Sequence, residues 1–467
     1  MAHSTTRRGF LATLAGLSGT VFLAACSSAA PSTQAPAGGG TTQPASGGQQ
    51  APAAGGQKVT LRVMERANNV VEGGPQFELY RTHAKAWQDA HPNVELKVES
   101  LPTGSEYATK VLSLHMGGGI GDVAYSAVGS GSFQAFASAG VLAPLDDLVK
   151  NDKVDLNQYL PNMVSALRLG DDGIGSGPLY GLPLLVHARD TVLFYNKAYL
   201  ARAGVDAPDG DKISWDDYQN LAKKLTFKAT DGRTEVYGLR ESNDYQFLEW
   251  QCGARAFGTN LISQDGRKAQ FNTPEAKKFW EWLYDIHNTQ GVAIPPSAGT
   301  INETFLSGNA AMVVSGGYLQ YAFQQKKDLD FGATAVPKGP SGQRGSVTMG
   351  DAYTVTAASK VKDVAWDFVK WMTNKDAGVV MCGIGLCGAR PDVIDDPKIK
   401  SQGMQPLFNR LVSEGMPYLG PANLRVVELN DVSRQVMGPV LTGTKPDDAF
   451  LASANAQVQQ VLDKPRA

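Results

Sequence analysis

From residue 58 onward, apolar positions alternate between two periods along the chain. Apolar runs at Val59–Met64 and Val94–Leu101 predict strands, and a helical repeat over 76–90 predicts an amphipathic helix between them. We expect this helix to end before Pro92, because the residue that precedes a proline resists helical geometry. The chain therefore begins its folded part with a β-α-β order, which is typical of α/β proteins.

The same rhythm continues to the end of the chain. Ser214 is the predicted N-cap of a helix over 215–225, and Thr273 with Pro274 at the first helical position predicts a helix over 274–288. Further helices are predicted at 106–116, 363–373, 424–441 and 446–462, and a buried strand at 122–128. Strands spaced by helices over such a length indicate α/β architecture with mainly parallel sheets.

Residues 1–26 follow a different pattern. Arg7 and Arg8 precede an apolar stretch, Phe10–Ala25, which is too short and too weakly apolar to span a bilayer comfortably. Thr6–Leu11 resembles a twin-arginine export signal, and Leu23–Cys26 resembles the lipobox of bacterial lipoproteins. We therefore expect a cleaved signal peptide and a lipidated Cys26 that anchors the protein to a membrane. A buried N-terminal helix with an incidental cysteine is the other interpretation.

Residues 27–57 consist of Ala, Gly, Ser, Thr, Pro and Gln. Such a segment has no large apolar side chain to bury, so it cannot offset the entropy lost on ordering. We expect a flexible tether between the lipid and the folded part of the protein.

Charge and cysteine content argue against two classes of protein, nucleic-acid-binding proteins and disulfide-rich scaffolds. The chain of 467 residues carries 43 Lys and Arg against 45 Asp and Glu, which argues against a nucleic-acid partner. Its 4 cysteines are too few for a disulfide scaffold. Besides Cys26, Cys382 could bridge to Cys387, Cys252 could pair with either, or all three could be free.

Motifs of covalent catalysis are missing from the sequence. We find no G-x-S-x-G elbow, no H-E-x-x-H motif, no phosphate loop and no dinucleotide fingerprint after a strand. Adjacent carboxylates such as Asp146-Asp147 are better explained by turns and helix caps than by acid–base work. We therefore expect no catalytic activity, no cofactor and no metal ion.

Four segments, in order, resemble one known family. They read LYGLPLLVHARDTVLFYNK at Leu179–Lys197, SWDDYQNLAKKL at Ser214–Leu225, FLSGNAAMVVSGGY at Phe305–Tyr318 and GDAYTVTAASKVKDVAWDFVKWM at Gly350–Met372. Together they resemble family 1 extracellular solute-binding proteins, the maltose-binding type that serves ABC importers. Tyr318 stands where that family commonly has tryptophan, and Asp351 where it commonly has a second glycine.

The resemblance implies an α/β, two-lobed periplasmic-binding-protein-like (type II) fold with crossing hinge strands and a helical C-terminus. The hinge crossings are expected near Leu185–Arg189 and Ser346–Asp351. The lobe segments are then 58–187 and 348–385 for the first lobe, and 188–347 and 386–467 for the second.

The resemblance also implies a site where aromatic faces and polar side chains at strand ends hold a sugar. The candidates on the first lobe are Arg66, Asn68, Asn69, Ser130 and Ser132. The candidates on the second lobe and the crossings are Gly317, Tyr318, Tyr245, Trp250, Arg189, Asp190, Asp351, Tyr353 and Arg390. Several of these have structural alternatives: Trp250 could be core, the Asn pair a turn and Arg390 an ion pair.

The expected protein is thus a monomeric, lipid-anchored receptor on the extracytoplasmic face of a bacterial membrane. It would capture a sugar or oligosaccharide by lobe closure and deliver it to the permease subunits of an ABC importer. Two alternatives stay open. One is a secreted glycan hydrolase, with Asp351 and Asp190 as its carboxylate pair; the other is the same fold binding a polyamine, phosphate or iron.

Overall fold

The computed structural model describes residues 58–171, 173–241, 247–416, 418 and 420–466. The predicted signal peptide, Cys26 and the predicted tether lie outside these residues and stay predictions. Within the described stretches, every helix is too short or too polar to cross a membrane.

The strands are short and are distributed over the whole described chain. They are β1 (Val59–Arg66), β2 (Val94–Leu101), β3 (Val123–Ala127), β4 (Arg168–Gly170), β5 (Gly173–Leu179), β6 (Gly181–Arg189), β7 (Val192–Asn196), β8 (Phe227–Lys228), β9 (Thr234–Val236), β10 (Met312–Ser315), β11 (Phe331–Ala335), β12 (Val347–Val355) and β13 (Cys387–Gly388).

Helices fill most of the segments between these strands. They are α1 (Ala67–Val70), α2 (Lys85–Ala90), α3 (Gly104–Met116), α4 (Ser132–Ser138), α5 (Asp146–Asn151), α6 (Pro161–Ala166), α7 (Lys197–Ala203), α8 (Trp215–Lys224), α9 (Phe247–Ala256), α10 (Pro274–Tyr284), α11 (Ile301–Leu306), α12 (Leu319–Gln324), α13 (Lys362–Met372), α14 (Lys375–Cys382), α15 (Pro391–Ile394), α16 (Pro397–Lys400), α17 (Gln405–Glu414), α18 (Val426–Met437) and α19 (Asp448–Leu462). A π-helical stretch, Leu79–Ala84, precedes α2 and forms the first part of the helix predicted over 76–90.

Two predicted helix starts, those of α8 and α10, are confirmed. Ser214 accepts a hydrogen bond from the backbone of Asp217, whose carboxylate bonds back to Ser214 in a capping box at α8. At α10 the Thr273 hydroxyl accepts a hydrogen bond from the backbone N–H of Ala276, with Pro274 at the first helical position. Local capping chemistry therefore sets where these helices begin.

The first sheet has six strands in the order β13-β6-β12-β3-β1-β2. β1 runs parallel to β2 and β3, whereas β12 is antiparallel to both β3 and β6. β3, in the middle, is buried along its whole length, and the edge strand β2 is exposed over much of its length. This sheet and the helices on it form the first lobe.

The second sheet, in the second lobe, has β7 between β10 and β11, and both neighbours run antiparallel to β7. Isolated parallel bridges at Tyr237–Ala310 and Arg240–Val313 place the segment after β9 beside β10. A core of aromatic and aliphatic side chains packs around this sheet. It includes Tyr218, Trp250, Phe271 and Trp280 together with Leu429, Met437 and Leu451 of the C-terminal helices.

The chain passes from the first sheet to the second between Arg189, the last residue of β6, and Val192, the first of β7. It returns between Ala335 at the end of β11 and Val347 at the start of β12. Val347 pairs with Arg189 across the first sheet, so the outgoing and returning strands lie side by side.

Two expectations from the sequence are wrong. Most strand pairs among the described residues are antiparallel rather than parallel, because β12 returns from the second lobe and enters the first sheet from the opposite end. Residues 387–388, expected from the sequence in the second lobe, form β13 and pair with β6 in the first sheet.

Candidate functional site

Polar strand ends meet at one edge of the first sheet. β1 and β3 are parallel, so their carboxyl ends, at Arg66 and Ala127, lie at the same edge. β12 runs the other way and places Asp351 directly opposite Ala127. The returning strand β12 therefore delivers a carboxylate to the edge where the parallel strands end, which is where α/β sheets bind ligands.

Arg66 is at the centre of this edge. Its guanidinium donates a hydrogen bond to the Ser130 hydroxyl at 2.8 Å, and it lies over the rings of Tyr107 and Tyr125 at 5.4 and 5.1 Å. Arg66 is half-buried and Ser130 is exposed. We call Arg66, Tyr107, Tyr125, Ser130 and Asp351 the Arg66 cluster.

Asp351 joins the cluster through Tyr125, whose hydroxyl donates a hydrogen bond to the Asp351 carboxylate. Burial raises the pKa of the Asp351 carboxyl above its ordinary value, and the charges of Arg66 and Arg189 oppose that rise. The cluster thus offers a cationic donor, an acidic acceptor and hydroxyl groups within one small area.

The crossing between the lobes carries a second charged pair. Arg189, at the end of β6, forms a salt bridge with Glu249 of α9, whose side chain is fully buried. The next residue, Asp190, has a φ of 52°, which is uncommon for a residue other than glycine, and is 6% exposed. Arg189 therefore links the first sheet to a helix of the second lobe, and Asp190 turns the chain between them.

Tyr318 follows the end of β10 and contacts β6, the strand that leads into this crossing. Its ring meets the His187 ring edge-on, with centroids 5.4 Å apart, and its hydroxyl accepts a hydrogen bond from Ser315. Burial lowers the pKa of His187 to about 3, so this imidazole is neutral at physiological pH. Gly317 is needed for packing, because a Cβ there would lie 2.7 Å from the Phe408 ring.

Three further candidates are buried and make internal hydrogen bonds. Asn69 and Tyr353 are buried and donate to the carboxylate of Glu65. Ser132 is 2% exposed, and its hydroxyl oxygen accepts from the backbone N–H of Ala127. Their types suit a sugar, but the backbone directs them inward.

Arg390 and Trp250 also lie apart from the Arg66 cluster. Arg390 forms a two-pronged ion pair with Asp392 and donates to Gln158, so the structural alternative holds. Trp250 is 1% exposed and meets Trp280 edge-on in the core of the second lobe. It lines a small cavity of about 40 Å³ there, together with other aromatic side chains.

The remaining candidates are less constrained. Asn68 is exposed beside Arg66, as a ligand contact requires. Tyr245 lies outside the described residues and stays a prediction.

Sequence reasoning missed Tyr107, Tyr125, Glu65 and Glu249. Tyr125 is in the predicted strand 122–128, where alternation could have assigned it a face but not its partner on β12. Glu65 directly follows the predicted strand Val59–Met64; the structure extends β1 through Glu65 and buries it, which the sequence pattern did not indicate.

The Arg66 cluster offers hydrogen-bonding groups that suit a ligand with hydroxyl groups. Hydroxyl groups of a ligand need both donors and acceptors, and the cluster supplies Arg66 as donor, Asp351 as acceptor and Ser130 as either. The rings of Tyr107 and Tyr125 support Arg66 from behind, which limits the guanidinium to few orientations.

Comparison with known proteins identifies the family of this chain. Residues 74–379 match the family model described as bacterial extracellular solute-binding protein. A putative binding protein of Brucella abortus is 25% identical over 84% of this chain and 90% of its own length. The maltotriose-binding protein of Pyrococcus abyssi is 23% identical over 83% of this chain and 78% of its own length.

Solved structures share the fold. The GacH receptor of Streptomyces glaucescens, solved unliganded and with acarbose, superposes with a TM-score of 0.72 at 24% identity, over 88% of this chain and all of the receptor. The maltose/maltodextrin-binding domain of Bdellovibrio bacteriovorus, bound to maltotriose, gives 0.70 at 19% identity over 87% of this chain. Both are similar to it across the two-lobed type II fold. With a family match over most of its folded part, the chain belongs to the bacterial extracellular solute-binding proteins.

Proposed function

We propose that this protein captures a neutral sugar or oligosaccharide between its two lobes and delivers it to an ABC importer. The observation that carries the proposal is the Arg66 cluster: a supported guanidinium, a carboxylate and a hydroxyl converge where β1 and β3 end and β12 passes, beside the crossing to the second lobe. The maltotriose-binding relative and the acarbose receptor support the same ligand class.

The cluster also bears on the charge of the ligand. Asp351 disfavours an anionic group at this point, and the neighbouring Arg66 disfavours a cation. A neutral polyhydroxyl ligand satisfies both side chains through hydrogen bonds, without leaving a charge uncompensated.

Delivery would occur at a membrane. The sequence of residues 1–26 supports export and lipidation of Cys26, and residues 27–57 support a tether that keeps the lobes near the permease subunits. The protein would act as a monomer on the extracytoplasmic side.

We further propose that the ligand is released unchanged. The carboxylates considered for hydrolysis are poorly suited to it, since Asp351 is held by Tyr125 and Asp190 is buried at the crossing. Incubating the protein with maltotriose and measuring reducing ends tests this, and a steady increase that Asp351→Asn abolishes would favour the hydrolase instead.

A ligand screen tests the main proposal. The unfolding midpoint of the purified protein is measured with maltotriose, an arabino-oligosaccharide, lactose, mannitol, putrescine and phosphate. A sugar present at 100 times its dissociation constant adds about 2.7 kcal/mol to stability, which is readily seen. A response to putrescine or phosphate but to none of the sugars would contradict the proposal.

Isothermal titration then gives affinity and stoichiometry for the sugar that responds. We expect one ligand per chain, and Arg66→Ala is expected to abolish the response. Arg390→Ala is the matched control, because that guanidinium is paired with Asp392 outside the Arg66 cluster. Equal losses in the two variants would show that the effect is one of general stability.

A further inference from the structure

A fully buried carboxylate lies next to the Arg66 cluster. Glu65 precedes Arg66 on β1 and is 0% exposed. Its Oε1 accepts from the backbone N–H of Arg66 and from Nδ2 of Asn69, each at 2.8 Å. Its Oε2 accepts from the hydroxyls of Tyr353 at 3.0 Å and Tyr80 at 3.3 Å. Glu65 therefore ties the segment from Arg66 to Asn69, where β1 ends and α1 begins, to β12, the strand that carries the cluster's carboxylate.

The two oxygens of Glu65 face different kinds of group. Oε1 faces two N–H groups, which donate and cannot accept, whereas Oε2 faces two hydroxyls, which do both. The Tyr353 hydroxyl is also 2.9 Å from Oε1 of Gln76. When Oε2 carries a proton, Tyr353 can accept from it and donate to Gln76. The network is therefore hydrogen-bonded in both forms of the carboxyl group.

We propose that Glu65 is a positioning residue for ligand capture, and that its ionised form holds the segment from Arg66 to Asn69 more firmly than its protonated form, so that sugar affinity rises with pH. The inference rests on the proposed function. Its physical reason is that hydrogen bonds to an ionised acceptor are about twice as strong as those to a neutral one. A segment that is held in its binding geometry before the ligand arrives loses less entropy on binding.

Among the titratable groups that face one another around Glu65, Glu65 itself is the one that changes charge near neutral pH. The titratable and charged groups that face it are Arg66, Tyr80 of the π-helical stretch, Tyr107 of α3, Tyr125 of β3 and Tyr353 of β12. Burial raises the pKa of each of these tyrosines well above its ordinary value, so they stay neutral. Burial likewise raises the pKa of Glu65 to about 7, although its hydrogen bonds oppose the rise.

The test compares the full-length wild type with Glu65→Gln by isothermal titration at pH 5.5, 7.0 and 8.5, using maltotriose or the tightest sugar of the panel above. The glutamine side chain imitates the protonated form, with its oxygen toward the N–H groups and its amide toward the hydroxyls. We expect wild-type affinity to rise at least about fivefold across this range. We expect the variant to bind equally at all three pH values, and as weakly as the wild type at pH 5.5. The inference would be overturned if wild-type affinity did not change with pH. It would also be overturned if the variant's affinity rose with pH along the same slope as that of the wild type.

Asp351 needs a separate variant, because burial raises its pKa too. If Glu65 is responsible, Asp351→Asn binds more weakly but keeps the wild-type slope. A slope that is lost in Asp351→Asn and kept in Glu65→Gln assigns the effect to Asp351 and contradicts our inference. Should Glu65→Gln fail to fold, Asn69→Ala tests the same link. Loss of the hydrogen bond from Asn69 to Glu65 is expected to lower sugar affinity and to reduce its dependence on pH.

The outcomes separate the two proposals. A wild-type protein that binds no sugar of the panel at any of these pH values contradicts the proposed function, and with it this inference. A wild-type protein that binds a sugar with the same affinity at every pH contradicts the inference alone.

Discussion

The hydroxyl of Tyr125 donates a hydrogen bond to the carboxylate of Asp351, from one antiparallel neighbour to the next in the first sheet. The ring of the same tyrosine lies 5.1 Å from the guanidinium of Arg66, which comes from β1. The side chain of Tyr125 thus positions both the carboxylate of Asp351 on β12 and the guanidinium of Arg66 on β1. Because all three strands lie in the interior of the sheet and not at its edges, this geometry is set before any ligand arrives.

Asp351→Asn is expected to lower sugar affinity by about tenfold or more, since a hydrogen bond to a charged group contributes roughly 1.5–3 kcal/mol. Isothermal titration measures the change. Asp392→Asn is the matched control, because that aspartate pairs with Arg390. Unchanged affinity in Asp351→Asn would remove the carboxylate from the binding surface.

Ser130 and Ser132 form a matched pair two residues apart. Ser130→Ala is expected to weaken binding about two- to tenfold, because the exposed hydroxyl that orients Arg66 is lost. Ser132→Ala is expected to leave affinity unchanged and to lower the free energy of unfolding by about 1–3 kcal/mol, because the backbone N–H of Ala127 loses its partner. Titration and urea unfolding measure the two effects, and a reversed pattern would contradict our placement of both side chains.

Trp250 and Tyr318 differ in the same way among aromatic residues. Trp250→Ala is expected to lower the free energy of unfolding by about 3–5 kcal/mol, since the indole is fully buried in the second lobe. The folded fraction should keep its affinity.

Tyr318→Ala is expected to lower affinity several-fold with a smaller loss of stability, because this half-buried ring lies at the end of β10 beside the crossing. Denaturant unfolding and titration of both variants decide the matter. A Trp250→Ala protein that is stable but does not bind would return Trp250 to the candidate site.

Glu65 also predicts how stability depends on pH. Its pKa is raised from an ordinary value of 4.5 to about 7 in the folded protein, so the folded state holds its proton more tightly than the unfolded state. Folding is therefore favoured below pH 4.5, and this contribution is lost as the pH rises through 7. A shift of this size corresponds to about 3 kcal/mol.

The expected result is that Glu65→Gln is more stable than the wild type at pH 8.5 and that this advantage shrinks as the pH falls toward 4.5. Unfolding midpoints of both ligand-free proteins, measured at each pH, give the difference and cancel the other titrating groups. A constant difference across this range would contradict the raised pKa of Glu65.

Cys252, Cys382 and Cys387 carry free, buried thiols. Burial raises the pKa of Cys382 to about 11 and those of Cys252 and Cys387 well above their ordinary value. Since the thiolate is the reactive form, we expect none of the three to react with a disulfide reagent in the folded protein and all three to react after unfolding. A Cys26→Ser variant keeps the count free of the N-terminal cysteine, and fewer than three reactive thiols in the unfolded protein would indicate a disulfide.

Much of the fold could be predicted because its signals are local. Caps at Ser214 and Thr273, and the apolar runs of β1 and β2, act within a few residues, and the structure confirms them. The direction of strand pairing could not be predicted in this way. β12 joins β3 and β6 only after the chain has passed through the second lobe, and that is why the expectation of parallel sheets was wrong.

The candidate site divides along the same line. Arg66, Ser130 and Asp351 were predicted from strand ends and from resemblance, and the structure brings them to one edge. Asn69, Ser132, Tyr353, Trp250 and Arg390 were chosen for the same chemistry, yet their side chains are engaged inside the protein. Residue type shows what a side chain can bind, but not which way the backbone turns it.

The class of protein was indicated by resemblance to a known family. By itself, the sequence determined the positions of most helices and strands and the residue types available for binding. These depend on hydrophobic period, capping and composition, which are properties of neighbouring residues. The tertiary structure decided which polar groups meet and which are buried, because Glu65 and Tyr353, or Tyr125 and Asp351, are separated by more than two hundred residues and come together only in the sheet.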